Sequence, residues 1–138
     1  MVDADLIHKK IAFVETCVRE LREIADPSRL GHDVREERFI AHTLQLSIQA
    51  ALDIASHVVS ARRFGEPTTN RNLFDILERE QWLTADLAAR LRDMAGFRNI
   101  VVHGYQTVDL TVVRDILDKR VHDLLAFYIV LGGRVDRD

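Results

Sequence analysis

Apolar residues recur along the chain at steps of three and four positions, the spacing that places side chains on one face of an α-helix. Polar breaks that contain glycine or proline separate these segments, so the pattern predicts about five helices. The expected helices run from about Asp3 to Ala25, from Val34 to Arg63, for a short distance after Thr69, from Thr84 to about His103, and from Asp109 or Thr111 to about Leu131.

The breaks contain residues that cap or end helices. Thr69 and Thr84 each stand before an apolar stripe, where a hydroxyl can accept a hydrogen bond from a free backbone N–H group. Glycine readily ends a helix, and the glycines placed to do so are Gly104, Gly132 and Gly133. We find no internal repeat and no domain-sized linker. We therefore expect an all-α fold in which residues 1–138 form a single up-and-down helical bundle.

Composition limits the setting of this bundle. The chain of 138 residues is 47% apolar and 30% charged, which suffices for one core without disulfides. Its single cysteine, Cys17, falls on an apolar stripe and is expected to be a buried core thiol, in keeping with a reducing, cytoplasmic location. No run approaches the roughly 20 apolar residues of a membrane span, and "MVDADLIHKK" lacks the layout of a signal peptide.

The balance of charge restricts binding of nucleic acid to a local site. A net charge of −3 argues against an extended surface for polyanions. Of the 19 basic residues, 16 are arginine, whose planar fork donates two hydrogen bonds at once to a phosphate. A compositional bias of the genome explains this excess equally well.

The stretch "FRNIVVHGY" places four polar residues among apolar ones near the end of the fourth helix: Arg98, Asn99, His103 and Tyr105. On a helix, Asn99 and His103 share a face, whereas Arg98 lies about 140° from His103. The arginine side chain could bend toward the histidine, or a twofold dimer could bring two copies of each residue around one cleft. Such a set suits RNA cleavage without a metal, because imidazole transfers protons near neutral pH and guanidinium binds phosphate oxygens.

A purely structural interpretation of these residues stands beside the catalytic one. Arg98 can be a solvated helix residue, and His103 can be a residue that the helix dipole favours near a helix C-terminus. The spacing of this arginine and histidine is common by chance, so the surrounding residues decide between the two interpretations.

Those surroundings resemble the HEPN superfamily, whose motif is an arginine separated from a histidine by a short spacer. "RNIVVHGY" has the HepT form of the motif, which adds an asparagine after the arginine and a tyrosine two positions after the histidine. The similarity extends over nearly the whole chain, through "LDIASHVV", "NLFDIL", "MAGFRN" and the "VDL" that follows the motif.

This resemblance implies an all-helical HEPN fold, a homodimer with the motif at its interface, and a metal-independent endoribonuclease that is the toxin of a toxin–antitoxin pair. It implies catalytic roles for Arg98 and His103 and a supporting role for Asn99, with no cofactor. It also implies a partner, a minimal nucleotidyltransferase antitoxin called MntA, which modifies Tyr105 with AMP. Some HEPN proteins do not cut RNA, so a noncatalytic helical module that binds a nucleotidyltransferase or its nucleotide is the alternative.

A metal site is a weaker hypothesis. Asp53 and His57 share a helix face, and His103 would be a third ligand. An aspartate that pairs with a histidine is the commoner use of this spacing.

Two further features have both a binding and a structural interpretation. Trp82 could stack on a base, but a tryptophan beside Leu83 at a helix junction is more typical of a packing anchor. The basic segments 61–63 and 87–92 could contact an RNA backbone, or they could be solvated helix faces.

Overall fold

The structure is a computed structural model that describes residues 2–103 and 110–137, and for residues 99–103 it describes the helical backbone but not the side chains. All regular elements in these ranges are helical, which confirms the predicted all-α bundle. None of the described helices is long and apolar enough to cross a membrane. The elements are α1 (Ala4–Glu23), a 3-10 turn (Pro27–Arg29), α2 (Val34–Ala61), α3 (Asn70–Arg79), α4 (Ala85–His103), α5 (Leu110–Asp115), a π-helical turn (Ile116–Arg120) and α6 (Val121–Arg137).

Four of the helices begin at a side chain that accepts a hydrogen bond from a free backbone N–H group. Both threonines predicted as caps have this role: Thr69 Oγ1 accepts from Asn72 N at 3.1 Å, and Thr84 Oγ1 accepts from Leu87 N at 3.2 Å. Each such cap stabilises its helix by about 1 kcal/mol. The other two capping residues are Asp3 and Asp33.

The 28-residue helix α2 is the centre of the bundle, because α1, α3, α4 and α6 all pack against it. At 1.5 Å per residue it is about 42 Å long. Its buried residues lie on more than one face and include several small ones, which let neighbouring backbones approach closely. The buried alanines of α2 are Ala41, Ala50, Ala51 and Ala55.

Trp82 is a packing anchor, as predicted, in the connection between α3 and α4. Its side chain is only 3% exposed, and its ring meets that of Phe64 edge to face with 6.3 Å between centroids. The guanidinium of Arg134 lies 4.8 Å from the centroid of the Trp82 ring, and that of Arg62 lies 5.9 Å away. The tryptophan faces are therefore occupied by the protein's own side chains.

Cys17 is buried in the core beside the apolar stripe of α1, which confirms the predicted core thiol. Burial raises the pKa of the Cys17 thiol above its ordinary value. Because only the thiolate is a good nucleophile, both burial and the raised pKa make this cysteine inert.

Asp123 is a fully buried carboxylate that joins α6 to α4. Arg90 Nη1 on α4 lies 3.4 Å from Asp123 Oδ1, and Arg120 Nη1 in the π-helical turn lies 4.0 Å from Asp123 Oδ2. A buried charge without such partners would be strongly destabilising. These ion pairs therefore fix how α6 and the π-helical turn pack against α4.

The predicted end of the last helix is wrong. Gly132 and Gly133 were expected to stop it near Leu131, but α6 continues to Arg137. Gly132 is buried against α1, and a β-carbon at this position would lie only 3.3 Å from Ile11 Cδ1. Its lack of a side chain serves helix packing, and the contacts with α1 outweigh the weak helix propensity of glycine.

Gly133→Ala should raise the free energy of unfolding by about 0.5–1 kcal/mol, because alanine is the better residue inside a helix. A β-carbon at position 133 would meet Arg137 Nη1 at 3.6 Å, an ordinary contact. Urea denaturation followed by circular dichroism measures the change. Gly132→Ala is the control and should gain less, because of its close approach to Ile11. A Gly133→Ala protein that is no more stable than the wild type would mean that the helix ends before this residue.

Candidate active site around Arg98

Arg98 lies in the last described turns of α4 and points toward α2. Its side chain is half-buried, and its Nε–H donates a hydrogen bond to Oε1 of Gln49 on α2, with 2.7 Å between the two atoms. Within the described part of the chain, Arg98 has no acidic partner. The hydrogen bond through Nε orients the guanidinium. Among the described residues no partner contacts its Nη1 and Nη2 edge, which has the geometry to donate to two oxygens of a ligand.

Gln49 connects Arg98 to two charged residues. Its Nε2 donates to Asp53 Oδ1 at 2.9 Å, and Asp53 Oδ2 lies 3.6 Å from Lys10 Nζ on α1. A glutamine suits this place, because its oxygen faces the cation while its amide nitrogen faces the anion. A carboxylate at position 49 would neutralise Arg98 and compete with an anionic ligand. The neutral amide holds the arginine, and within the described residues its positive charge is not compensated.

Two surface grooves meet at Gln49 and Asp53. One has a volume of about 290 Å³ and is walled by α2 and by the segment that leads into α3, including Thr68 and Asn70. The other has a volume of about 330 Å³ and lies on the α1 side, where Lys10 is one of its lining residues. The hydrogen-bonded pair therefore forms the boundary between two concave surfaces beside Arg98.

The other residues of the motif belong to the helix that carries Arg98 or follow it. α4 reaches His103, as predicted. The side chains of Asn99 and His103 lie outside the described residues, as do Gly104 and Tyr105 entirely. Because one continuous helix carries both positions, Arg98 and His103 are separated by about 140° around its axis, as the sequence suggested. A site that contains both residues therefore needs either a bent arginine side chain or a second subunit.

The expected pairing of Asp53 with His57 is wrong. His57 Nε2 accepts a hydrogen bond from the backbone N–H of Asp3 at 3.0 Å, and Asp53 pairs instead with Gln49 and Lys10. Helical spacing places the two residues on one face, but each side chain contacts other residues instead of its neighbour. Among the described residues, no cluster of three or more histidine, cysteine or acidic side chains is placed to hold a metal.

The arginines at 87–92 are engaged by acidic residues. Arg92 Nη1 lies 3.0 Å from both Asp75 Oδ1 and Glu78 Oε1, and the hydrogen bond to Glu78 is the main cause of a raised pKa for Arg92. Arg90 Nη2 lies 2.9 Å from Asp86 Oδ2 on its outer side. These arginines link helices, and the interpretation as a contact for an RNA backbone loses its support.

Gln49 is the site residue that sequence reasoning missed. It precedes Arg98 by 49 positions, so nothing in the local sequence of the motif points to it. The available signal was the polar pair Gln49 and Asp53, four apart on the mostly apolar helix α2. That spacing shows a shared face but does not show which distant residue the face contacts.

The helical bundle and its arginine-containing motif are those of the HEPN class, and comparison with known proteins gives the family. Residues 14–131 match the family described as Ribonuclease HepT-like, and the chain belongs to this family. The mRNA nuclease HepT of Shewanella oneidensis is 30% identical over 128 residues, which cover 92% of this chain and 96% of that protein. The tRNA nuclease HepT of Aphanizomenon flos-aquae is 41% identical over 66 residues, 48% of this chain and 45% of that protein.

A solved structure shows the same fold. It is that of tri-AMPylated Shewanella oneidensis HEPN toxin in complex with MNT antitoxin. The superposition has a TM-score of 0.85 at 29% identity and covers 94% of this chain and 98% of that chain. The HEPN resemblance drawn from the residues is thereby confirmed.

The hydrogen bond between Gln49 and Arg98 should couple the two residues energetically. A double-mutant cycle of Gln49→Leu and Arg98→Leu is expected to give a coupling of about 1 kcal/mol in the free energy of unfolding, since one partner is charged but solvent reaches the pair. The loss of the Gln49–Asp53 contact cancels in the cycle. A matched cycle with Gln45, one turn earlier on α2, should give a coupling below about 0.5 kcal/mol. Equal coupling in the two cycles would contradict the hydrogen bond.

Proposed function

We propose that this protein is a metal-independent endoribonuclease and the toxin of a toxin–antitoxin pair. The observation that carries the proposal is the placement of Arg98, which is oriented by a neutral amide at 2.7 Å and has no acidic partner in the described ranges. An arginine held in this way is prepared to bind a phosphate. Membership of the Ribonuclease HepT-like family supports the same reaction.

The reaction is a transesterification within one strand of RNA. A base removes the proton of the 2′-hydroxyl, whose oxygen forms a bond to the adjacent phosphorus. The bond from phosphorus to the 5′-oxygen breaks, an acid protonates that oxygen, and the products carry a 2′,3′-cyclic phosphate and a 5′-hydroxyl. In the proposal, His103 supplies proton transfer, and Arg98 binds the non-bridging oxygens as negative charge develops.

A homodimer completes this site. The reaction needs an acid and a base, and the motif of one chain offers a single histidine, His103. A second subunit related by a twofold axis supplies another histidine and another arginine to the same cleft. The offset of about 140° between Arg98 and His103 on one helix favours a site shared between subunits. Asn99 is proposed to orient His103 or the phosphate by hydrogen bonding.

The proposed partner is a minimal nucleotidyltransferase antitoxin of the MntA kind. The Shewanella oneidensis toxin is tri-AMPylated and in complex with MNT antitoxin, which supports a similar pairing here. AMP on Tyr105 would bring phosphodiester charge close to Arg98, where it would occupy the place of the scissile phosphate. Modification would thus inhibit the enzyme by imitating its substrate.

Arg98→Ala and His103→Ala should each reduce RNA cleavage to background, because each removes a group that acts on the reacting phosphate. Purified protein without its partner is tested in the presence of a chelator, with both a messenger RNA and transfer RNA as substrates, because relatives are named for each. Both variants should keep the helical circular dichroism spectrum. Arg98→Ala should lose only about 1 kcal/mol of stability, the value of the bond to Gln49. Full cleavage by the His103 variant would contradict the acid–base mechanism, and a wild type that cuts neither RNA would favour the noncatalytic alternative.

Mixing the two inactive variants tests the shared site, provided that subunits exchange. A mixed dimer retains one intact arginine and one intact histidine in the cleft, so cleavage should partly return. Light scattering gives the oligomeric state at the same concentration. A monomeric protein that is fully active would contradict the dimeric site.

Coexpression with the cognate nucleotidyltransferase should add AMP to Tyr105 and suppress cleavage, whereas Tyr105→Phe should stay toxic and escape covalent inhibition. Intact-protein and peptide mass spectrometry locates the modification. A fully neutralised complex with unmodified Tyr105 would show that the antitoxin inhibits by binding alone.

A further inference from the structure

Arg71 lies against the backbone of α4 at the one place where that helix has no side chain. A β-carbon built on Gly96 would clash with Nη2 of Arg71 and would lie 3.3 Å from its Cζ and 3.4 Å from its Nε. The guanidinium therefore occupies the space that any other residue at position 96 would fill.

Arg71 differs from the other arginines of α3 and α4 in having no polar partner among the described residues. It is exposed at the start of α3, next to Asn70, which lines the groove of about 290 Å³ beside Gln49. In the described residues Arg71 has no hydrogen bond or ion pair, although the other arginines of α3 and α4 are engaged. Those engaged arginines are Arg79, Arg90, Arg92 and Arg98.

The helical register relates this position to the motif. Seven residues separate Gly96 from position 103, so the two backbone positions lie within about 20° of each other around α4 and about 10 Å apart along it. Arg98 is about 160° from Gly96 and contacts α2. Arg71 therefore contacts the side of α4 that also carries backbone position 103, about two turns earlier, whereas Arg98 projects from the opposite side of the same helix.

We propose that Arg71 binds a backbone phosphate of the RNA next to the scissile one, with Gly96 as the gap that lets its guanidinium lie there. The inference rests on the proposed ribonuclease function and adds a residue outside the motif. Because Arg71 lies about 10 Å along the helix from position 103, it suits a neighbouring phosphate better than the reacting one. As a contact with the backbone, it should act on all sequences alike.

Two variants test Arg71 in independent ways. Arg71→Gln removes the charge, while Gly96→Ala keeps the charge and displaces the guanidinium. Gly96→Ala should keep or raise the melting temperature, since alanine favours a helix, so any loss of binding would not reflect unfolding. Arg22→Gln is the matched control. Arg22 is also exposed and has no hydrogen bond or ion pair among the described residues, but it lies in the last turn of α1.

The dissociation constant for RNA is measured by fluorescence anisotropy at several salt concentrations, in the presence of a chelator. The probes are two unrelated single-stranded RNAs whose 2′-O-methyl groups prevent cleavage. Arg71→Gln and Gly96→Ala should each weaken binding of both RNAs by about three- to tenfold. For Arg71→Gln, the slope of log K against log salt should fall by about 0.7. Arg22→Gln should match the wild type. In cleavage of unmodified RNA, KM should rise more than kcat falls.

Wild-type affinity and salt slope in both variants would overturn the inference, even if the wild type cleaves RNA. Variants that lose affinity for the antitoxin but not for RNA would place Arg71 in a protein interface and would also overturn the inference. A wild-type protein that does not bind the RNAs would overturn it as well. RNA binding that depends on Arg71 in a protein without any cleavage would sustain the inference and overturn the ribonuclease proposal.

Discussion

Burial of α2 is the constraint on which the rest of the structure depends. Four other helices pack against it, and small residues such as Ala50 and Ala51 let them come close. A helix buried on several sides has few positions at which a polar side chain is tolerated. Gln49 and Asp53 occupy two of them and are hydrogen-bonded to each other. Gln49 also accepts a hydrogen bond from Arg98, and Asp53 forms an ion pair with Lys10. The polar side of α2 is thus the surface on which the candidate site is built.

Pairing of charges separates structural arginines from those available to a ligand. Arg90 and Arg92 have acidic partners within 3.4 Å and connect α4 to α3 and α6. Arg98 has a neutral partner, and Arg71 lies on bare backbone. The number of arginines in the sequence could not show which of them are paired, because pairing depends on residues that are neighbours in space and distant in sequence. A protein with a net charge of −3 can in this way present a small cationic surface to an anion.

Local rules predicted most of the fold and only part of the site. Helical periodicity and the hydroxyls of Thr69 and Thr84 gave the helix starts, because caps act within a few residues of themselves. The end of α6 was missed because the contact of Gly132 with α1 outweighs a local preference. Gln49 and Arg71 were missed for the same reason: each gains its role from a residue on another helix. The motif pointed to Arg98, but its orientation depends on a contact between helices that are distant in sequence.

The π-helical turn at Ile116–Arg120 has a consequence for chain length. Such a turn accommodates one residue more than an α-helical turn, within a helix that otherwise continues from α5 into α6. Because the wider turn absorbs the extra residue, deleting one residue there would restore α-helical geometry and leave the faces of α5 and α6 close to their present alignment. Asp123 would still face Arg90. Inserting a residue instead would need a second bulge or would rotate α6 by about 100° and turn Asp123 away from its partner. This segment therefore tolerates the loss of one residue better than the gain of one.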